Sequence, residues 1–221
     1  METMTQVQAK EHPILFSAPM VRAILEGRKT MTRRVVKFHK SVSEHSWWME
    51  AHEIGPAEFI FWSGPQKVDP GFTKSVYKAG DGIRCPYGIP GDRLWVRETH
   101  AWIEGDSPSD YETGSGWIYR ASLAPEHDDG LKWKPSIFMP RLASRILLEV
   151  VSVRVERLQD ITRSDIKAEG LVCPSELHSD DLEYNYRQWY IDEWIRLWKS
   201  INGPESWEQN PWVWVIGFKR V

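Results

Sequence analysis

The chemistry-bearing residues of this chain crowd into one short stretch, Gly27-Arg28-Lys29-Thr30-Met31-Thr32-Arg33-Arg34. From Arg22 to Lys37 six basic residues stand against one acid, Glu26, a local charge of +5. The whole chain carries -3, so everything outside this stretch sums to -8. A basic patch in an acidic molecule attracts an anionic ligand such as a phosphate or an RNA backbone locally, while the remainder repels indiscriminate wrapping. A solvated basic face is the plainer alternative. If residues 31–36 form a strand, its alternation puts Thr32 and Arg34 on one face and Met31, Arg33 and Val35 on the other. One cleft then sees both the hydroxyl and a guanidinium, and Lys29 must reach in from the preceding turn.

The elements that would position these groups can be read from periodicity. Pro13 to Phe16 reads as a strand. Ser17 offers an N-cap to a helix with Pro19 in its first turn and Val21, Ile24 and Leu25 on one face, and Gly27 stops it. From Lys37 to Cys85 periodicity is lost, which predicts an irregular insertion. Arg93 to Glu98 reads as a strand with Leu94, Val96 and Glu98 inward and Arg93, Trp95 and Arg97 outward. A second polar excursion, about 104–130, is broken by a strand-like Trp117 to Arg120. Ile137 to Met139 and the β-branched run Ile146 to Arg157 are further strands, the latter with a bulge near Val150 and Val151. Thr162 with Asp165 three residues on is a capping pattern, and Gly170 closes the short helix, leaving Glu169 at its C-terminal end. A carboxylate there is unfavourable by a few tenths of a kcal/mol unless it has a cationic partner or a task. A longer helix runs from about Leu182 to Ile201, with Tyr190, Trp194, Leu197, Trp198 and Ile201 along one stripe. Trp212 to Lys219 closes the chain as a strand. No repeat and no Pro/Gly/Ser linker divides the chain, so residues 1–221 are read as one α+β domain built on a small β-barrel flanked by helices, with loop insertions at about 37–85 and 104–130.

Glycine, lysine and arginine at Gly27-x-Lys29-x-x-Thr32-x-Arg34, followed by the Gly91-Asp92-x-Leu94 turn and strand and by the helix Thr162 to Glu169, resemble the ASCH domain of the PUA-like superfamily. The family signature reads G-x-K-x-x-E-x-R, and Thr32 stands here where most members carry Glu. Around the signature, Ile24 to Arg34 is similar to the bacterial N4-acetylcytidine amidohydrolases. The two insertions, Met139-Pro140-Arg141 and Asn210-Pro211-Trp212 are similar to ASCH proteins of bacteriophages and prophages. The resemblance covers about half of the chain and implies a small β-barrel with an RNA-sized cleft. It implies that Lys29 acts as proton acceptor, Thr32 as nucleophile and Glu169 as proton donor, with Arg34 holding substrate or oxyanion. That chemistry requires Lys29 to be neutral part of the time, which burial or the neighbouring Arg28, Arg33 and Arg34 would favour. The substrate expected from it is a modified nucleoside or nucleotide, hydrolysed at its acylated exocyclic amine without a cofactor. Two alternatives use the same cleft: an RNA- or nucleotide-binding module without chemistry, and a ribonuclease.

Arg28, Arg33, Arg34, Trp95 and Glu98 are the further candidates for binding substrate. Trp95, Trp212 and Trp214 could stack a base, or simply pack a core that must absorb 13 tryptophans. Glu98 is either a second cleft carboxylate or one half of a buried ion pair with Arg141 or Arg145. His100, His127 and His178 have no metal-ligand spacing with each other or with Cys85 and Cys173, so no metal is expected and both thiols should be free. With 41% hydrophobic residues and a mean hydropathy of -0.48 the chain has core-forming material. No run approaches the length of a membrane span and the first residues lack an apolar leader, which predicts a cytoplasmic protein.

Overall fold

A computed structural model of the chain describes residues 9–38, 48–64, 77–78, 83–103, 116–124, 130–174 and 183–221. The first elements are the strand Glu11–Leu15 (β1), the helix Ala18–Leu25 (α1) and the strand Met31–Val35 (β2). Ser17 precedes α1 in extended conformation and Gly27 ends it at φ 74, a left-handed value that disfavours any side chain. Trp48–Gly55 (β3) and Glu58–Gly64 (β4) then pair as an antiparallel hairpin, to which Tyr77–Lys78 (β5) and Ile83–Arg84 (β6) add. Part of the segment expected to be irregular is therefore a sheet. Its signal is obscured by a register shift between Glu53 and Gly55, and its turn uses Pro56 and Ala57, the latter at φ 55, where no Asn-Gly or Gly-Gly pair announces it. Phe59 meets Trp214 edge-on with 5.5 Å between ring centroids, which anchors the hairpin to the main core.

Arg93–Arg97 (β7) is followed by a hairpin of His100–Ile103 (β8) and Gly116–Tyr119 (β9). Ile137 to Met139, expected as a strand, instead lies on the 3-10 turn Ser136–Phe138 and its C-cap, in keeping with the prolines at positions 135 and 140. Leu147–Arg157 (β10) carries a register shift between Val150 and Ser152, where the bulge was predicted. Arg163–Ala168 (α2), Glu183–Asn202 (α3) and Trp212–Arg220 (β11) complete the described chain.

The main sheet has the order β1-β7-β10-β11-β2, with β1 and β7 parallel and every other pair antiparallel. This is an α+β fold. Among the described residues the ladder is an open path whose two ends are joined by a side chain: Arg34 Nη2 on β2 donates to the Leu15 carbonyl of β1 at 2.6 Å. Strand β11, the last of the chain, lies inside the sheet and is buried on both faces. Trp214, Ile216 and Phe218 join Ile14, Leu94, Leu148 and Val21 in one core, while Val213 and Val215 pack on the other side with Ile166 of α2 and Tyr190, Trp194 and Trp198 of α3. Burying each such side chain contributes about 1.5–3 kcal/mol, so β11 ties the two layers together. No helix of the described residues is long and apolar enough to cross a membrane.

Candidate functional site

Helix α2 delivers Glu169 to the turn that precedes β2. Its N-cap forms as expected, with Asp165 N donating to Thr162 Oγ1 at 3.2 Å. At the other end Glu169 pairs with Lys29 in an isolated antiparallel bridge, and Thr30 N donates to the Ala168 carbonyl at 2.8 Å. Gly170 permits this approach: it sits at φ +98, and a Cβ there would lie 2.9 Å from Ala23 Cβ and 3.1 Å from Lys29 Cβ.

Lys29 Nζ lies 2.6 Å from Glu169 Oε2, 3.0 Å from the Glu169 carbonyl and 2.8 Å from the Met31 carbonyl, so all three ammonium protons have acceptors. The side chain has 0% exposure. Burial drives the Lys29 pKa below its ordinary value; Glu169 opposes that shift, and the charges of Arg34 and Arg33 reinforce it. The helix-terminal carboxylate thus has the cationic partner its position calls for. Arg33, on the opposite face of β2 from Thr32, has a fully enclosed side chain and reaches Glu156 Oε1 at 2.5 Å, Asp165 Oδ2 at 2.7 Å and Glu169 Oε1 at 3.4 Å. Arg154 joins the same group through Glu156 at 3.1 Å and Asp165 at 3.0 Å. Burial pushes the Asp165 carboxyl up, but Arg33, Arg154 and a hydrogen bond accepted from the Thr162 backbone N–H outweigh it and hold the carboxyl below the usual range. Three cations (Lys29, Arg33, Arg154) therefore offset three carboxylates (Glu156, Asp165, Glu169).

Beside this network opens a cavity of about 190 Å³ whose wall includes Thr32, Arg34, Glu169, Tyr87, Trp194 and Trp198. Lys29 stands behind Glu169, outside the wall. Among the described residues the Thr32 hydroxyl has no hydrogen-bond partner, and neither have Arg34 Nε or the indole N–H groups of Trp194 and Trp198. Arg34 packs over the Phe16 ring, 5.2 Å from its centroid. The face carrying Thr32 and Arg34 is the one strand alternation assigned to a cleft.

The other candidates are placed differently. Arg28 is half-exposed, pairs with Glu26 at 2.5 Å and donates to the Gly170 carbonyl at 2.5 Å, so it clamps the corner of α2 and is not part of the cavity wall. Arg33 lines the cavity, with its guanidinium committed to the carboxylates of Glu156 and Asp165. Trp95 lies on the outer face of β7 near Arg97 and Arg141, their guanidinium carbons 5.4 Å and 6.0 Å from its ring centroid, and is not on the wall of this cavity. Glu98 is buried against Arg145, with bonds of 2.8 Å and 3.0 Å to its two oxygens: of the two readings open for it, the ion pair is the one formed. Trp214 packs in the core. His127 and His178 lie outside the described residues. Tyr87, Trp194, Trp198, Glu156 and Asp165 were not foreseen as site residues. The indole stripe of α3 was visible, but nothing in its spacing says that it faces β2. Among the described residues no group of His, Cys, Asp and Glu is placed to hold a metal ion.

A scan against protein-family models finds no match to this sequence, and neither the curated proteins nor the solved structures include one that matches.

Proposed function

We propose that the chain is an ASCH-type, PUA-like amidohydrolase that removes the acyl group from an N-acylated nucleoside such as N4-acetylcytidine. The observation that carries this reading is the buried contact of Lys29 Nζ with Glu169 Oε2 at 2.6 Å, immediately behind a cavity wall that presents Thr32 and Arg34. The curl that brings Arg34 to the carbonyl of Leu15 supports the PUA-like barrel.

In the enclosed pair, passing one proton from the ammonium to the carboxylate converts two buried charges into an amine and a carboxylic acid, which lessens their desolvation penalty. The neutral pair is the reactive one. Thr32 Oγ attacks the acyl carbonyl carbon while its proton passes to the Lys29 amine, and Arg34 stabilises the oxyanion. The carbon–nitrogen bond then breaks and the leaving exocyclic nitrogen takes the proton of Glu169. Water hydrolyses the resulting threonyl ester, releasing acetate and restoring the hydroxyl. Incubation of the protein with N4-acetylcytidine, followed by chromatography for cytidine, tests this: release by the wild type, retained by Thr32→Ser and lost in Thr32→Val, is the expected result. No cytidine from the wild type refutes it.

A second reading is favoured by one observation, the saturation of Lys29 by three acceptors. On that reading the pair is a structural clamp and the cavity holds a nucleotide or RNA without turnover. Tight binding of a short RNA with neither deacetylation nor strand cleavage would support it, and strand cleavage would identify a ribonuclease.

A further inference from the structure

The cations gathered between Arg22 and Lys37 are unequally engaged. Arg28 pairs with Glu26, Lys29 with Glu169, and Arg33 with three carboxylates. Arg22 is not on the cavity wall and donates to the Ala121 carbonyl at 3.4 Å. Arg34 and Lys37 differ: both line the cavity, and among the described residues neither has a carboxylate within ion-pair distance. Arg34 gives one N–H to the Leu15 carbonyl and leaves its buried Nε without a partner, while Lys37 is exposed. Because the adjoining network balances its own charges, these two positive charges remain for whatever enters.

Size says where they act. A cavity of about 190 Å³ is smaller than the roughly 300–1,000 Å³ of pockets that engulf a drug-sized ligand. It accommodates a base with its acyl group and leaves the ribose at the mouth, where the exposed Lys37 stands. A phosphate monoester on that ribose carries a charge of about -1.5 to -2 at neutral pH, matching the two free cations.

We propose that the preferred substrate is an N-acylated nucleoside 5′-monophosphate, its phosphate held at the mouth by Lys37 within the field of Arg34. This rests on the reading of the cavity as the site of the base. The contact is of the charge-assisted kind that a neutral nucleoside cannot make, and salt weakens it because Lys37 faces solvent.

The test compares kcat/KM for N4-acetylcytidine and for its 5′-monophosphate, in wild type and in Lys37→Gln, at low and high salt. The expected result is a preference for the monophosphate of roughly tenfold at low salt, reduced by salt and reduced toward unity by the substitution. Equal values in the wild type overturn the proposal, as does a preference for an acetylated short RNA over the mononucleotide, or a preference that survives Lys37→Gln unchanged. If neither compound is hydrolysed, the amidohydrolase reading fails, and quenching of tryptophan fluorescence by cytidine 5′-monophosphate against cytidine decides the phosphate question separately. Tighter binding of the monophosphate, lost in Lys37→Gln, supports it, and equal or absent binding overturns it.

Discussion

Glu169 reaches Lys29 from 140 positions away in the chain and touches it twice, through a carboxylate oxygen at 2.6 Å and through its own carbonyl at 3.0 Å. Backbone and side chain thus fix the same ammonium. An ammonium held in this way is enclosed first and titrated second: burial lowers its pKa, and the nearby arginines lower it further. If the amine of Lys29 takes the proton of Thr32 while Glu169 gives one up, the reactive neutral pair holds the same single proton as the ion pair, so kcat/KM for deacetylation stays level with pH and falls once the pair loses that proton, below the ordinary lysine value of 10.5. A pH profile measured on N4-acetylcytidine checks this, and a rate that goes on rising past 10.5 excludes Glu169 as the proton donor. Lys29→Met removes turnover, and because it leaves Glu169 buried with only the 3.4 Å contact to Arg33, it also costs about 3 kcal/mol of stability, read as a lower urea midpoint.

The same pair shapes stability against pH. A lysine whose folded pKa lies below its unfolded one binds fewer protons in the native state between the two values. Unfolding free energy therefore rises with pH through that window and is flat above it. Asp165 acts at the acid end with the same sign, since its folded pKa is lowered as well. Its folded pKa lies below 3.8, so its contribution is present above 3.8 and disappears as pH falls through the folded value. Urea midpoints between about pH 2 and 5 are expected to drop less steeply in Asp165→Asn than in the wild type. An identical acid slope in the two proteins would show that the carboxyl is not held by Arg33 and Arg154.

Gly170 is the position at which fold and site meet most tightly. It combines φ +98 with neighbours at 2.9 Å and 3.1 Å from where a Cβ would stand, and both neighbours, Ala23 and Lys29, are buried and unable to yield. Gly170→Ala is expected to cost about 2 kcal/mol, lowering the melting temperature by roughly 4–8 °C. Since the displaced corner carries Glu169, deacetylation falls with it. A variant as stable as the wild type would mean that the turn opens freely, and with it the contact on which the site depends.

Much of this was legible in the residues. Period-two alternation in Met31 to Val35 separated the Thr32 and Arg34 face from the Arg33 face, and the structure keeps that division, with Arg33 turned to Glu156 and Asp165. The Thr162 cap and Gly170 fixed the ends of α2, because both signals are local hydrogen-bonding and φ requirements. What stayed hidden was long-range. Whether α3 lays Trp194 and Trp198 beside β2 depends on a helix packing 160 residues along from that strand, and stripes of indole say only that one face is buried. Trp95 shows the converse: alternation put it on a face, correctly outward from Leu94 and Val96, but could not say that the cavity lies across the sheet at the edge of β2. The β3–β4 hairpin escaped because its turn relies on Pro56 and Ala57 in place of the glycine-containing pairs that mark such turns.

Glu98 and Arg145 provide the means to separate folding from catalysis. Glu98 is 1% exposed and both its oxygens are held by one guanidinium, yet it lies outside the cavity wall. Arg145→Met strands a buried carboxylate and should destabilise by about 2–3 kcal/mol; a paired replacement with Glu98→Leu recovers part of that loss, since neither charge then remains buried alone. Turnover per folded molecule stays at the wild-type level in both variants. The measurement is kcat/KM for N4-acetylcytidine corrected for the folded fraction, alongside urea midpoints for the single and double substitutions. If turnover fell by an order of magnitude while the midpoint recovered, Glu98 would be acting on the substrate, and the ion pair would be a resting arrangement that the reaction breaks.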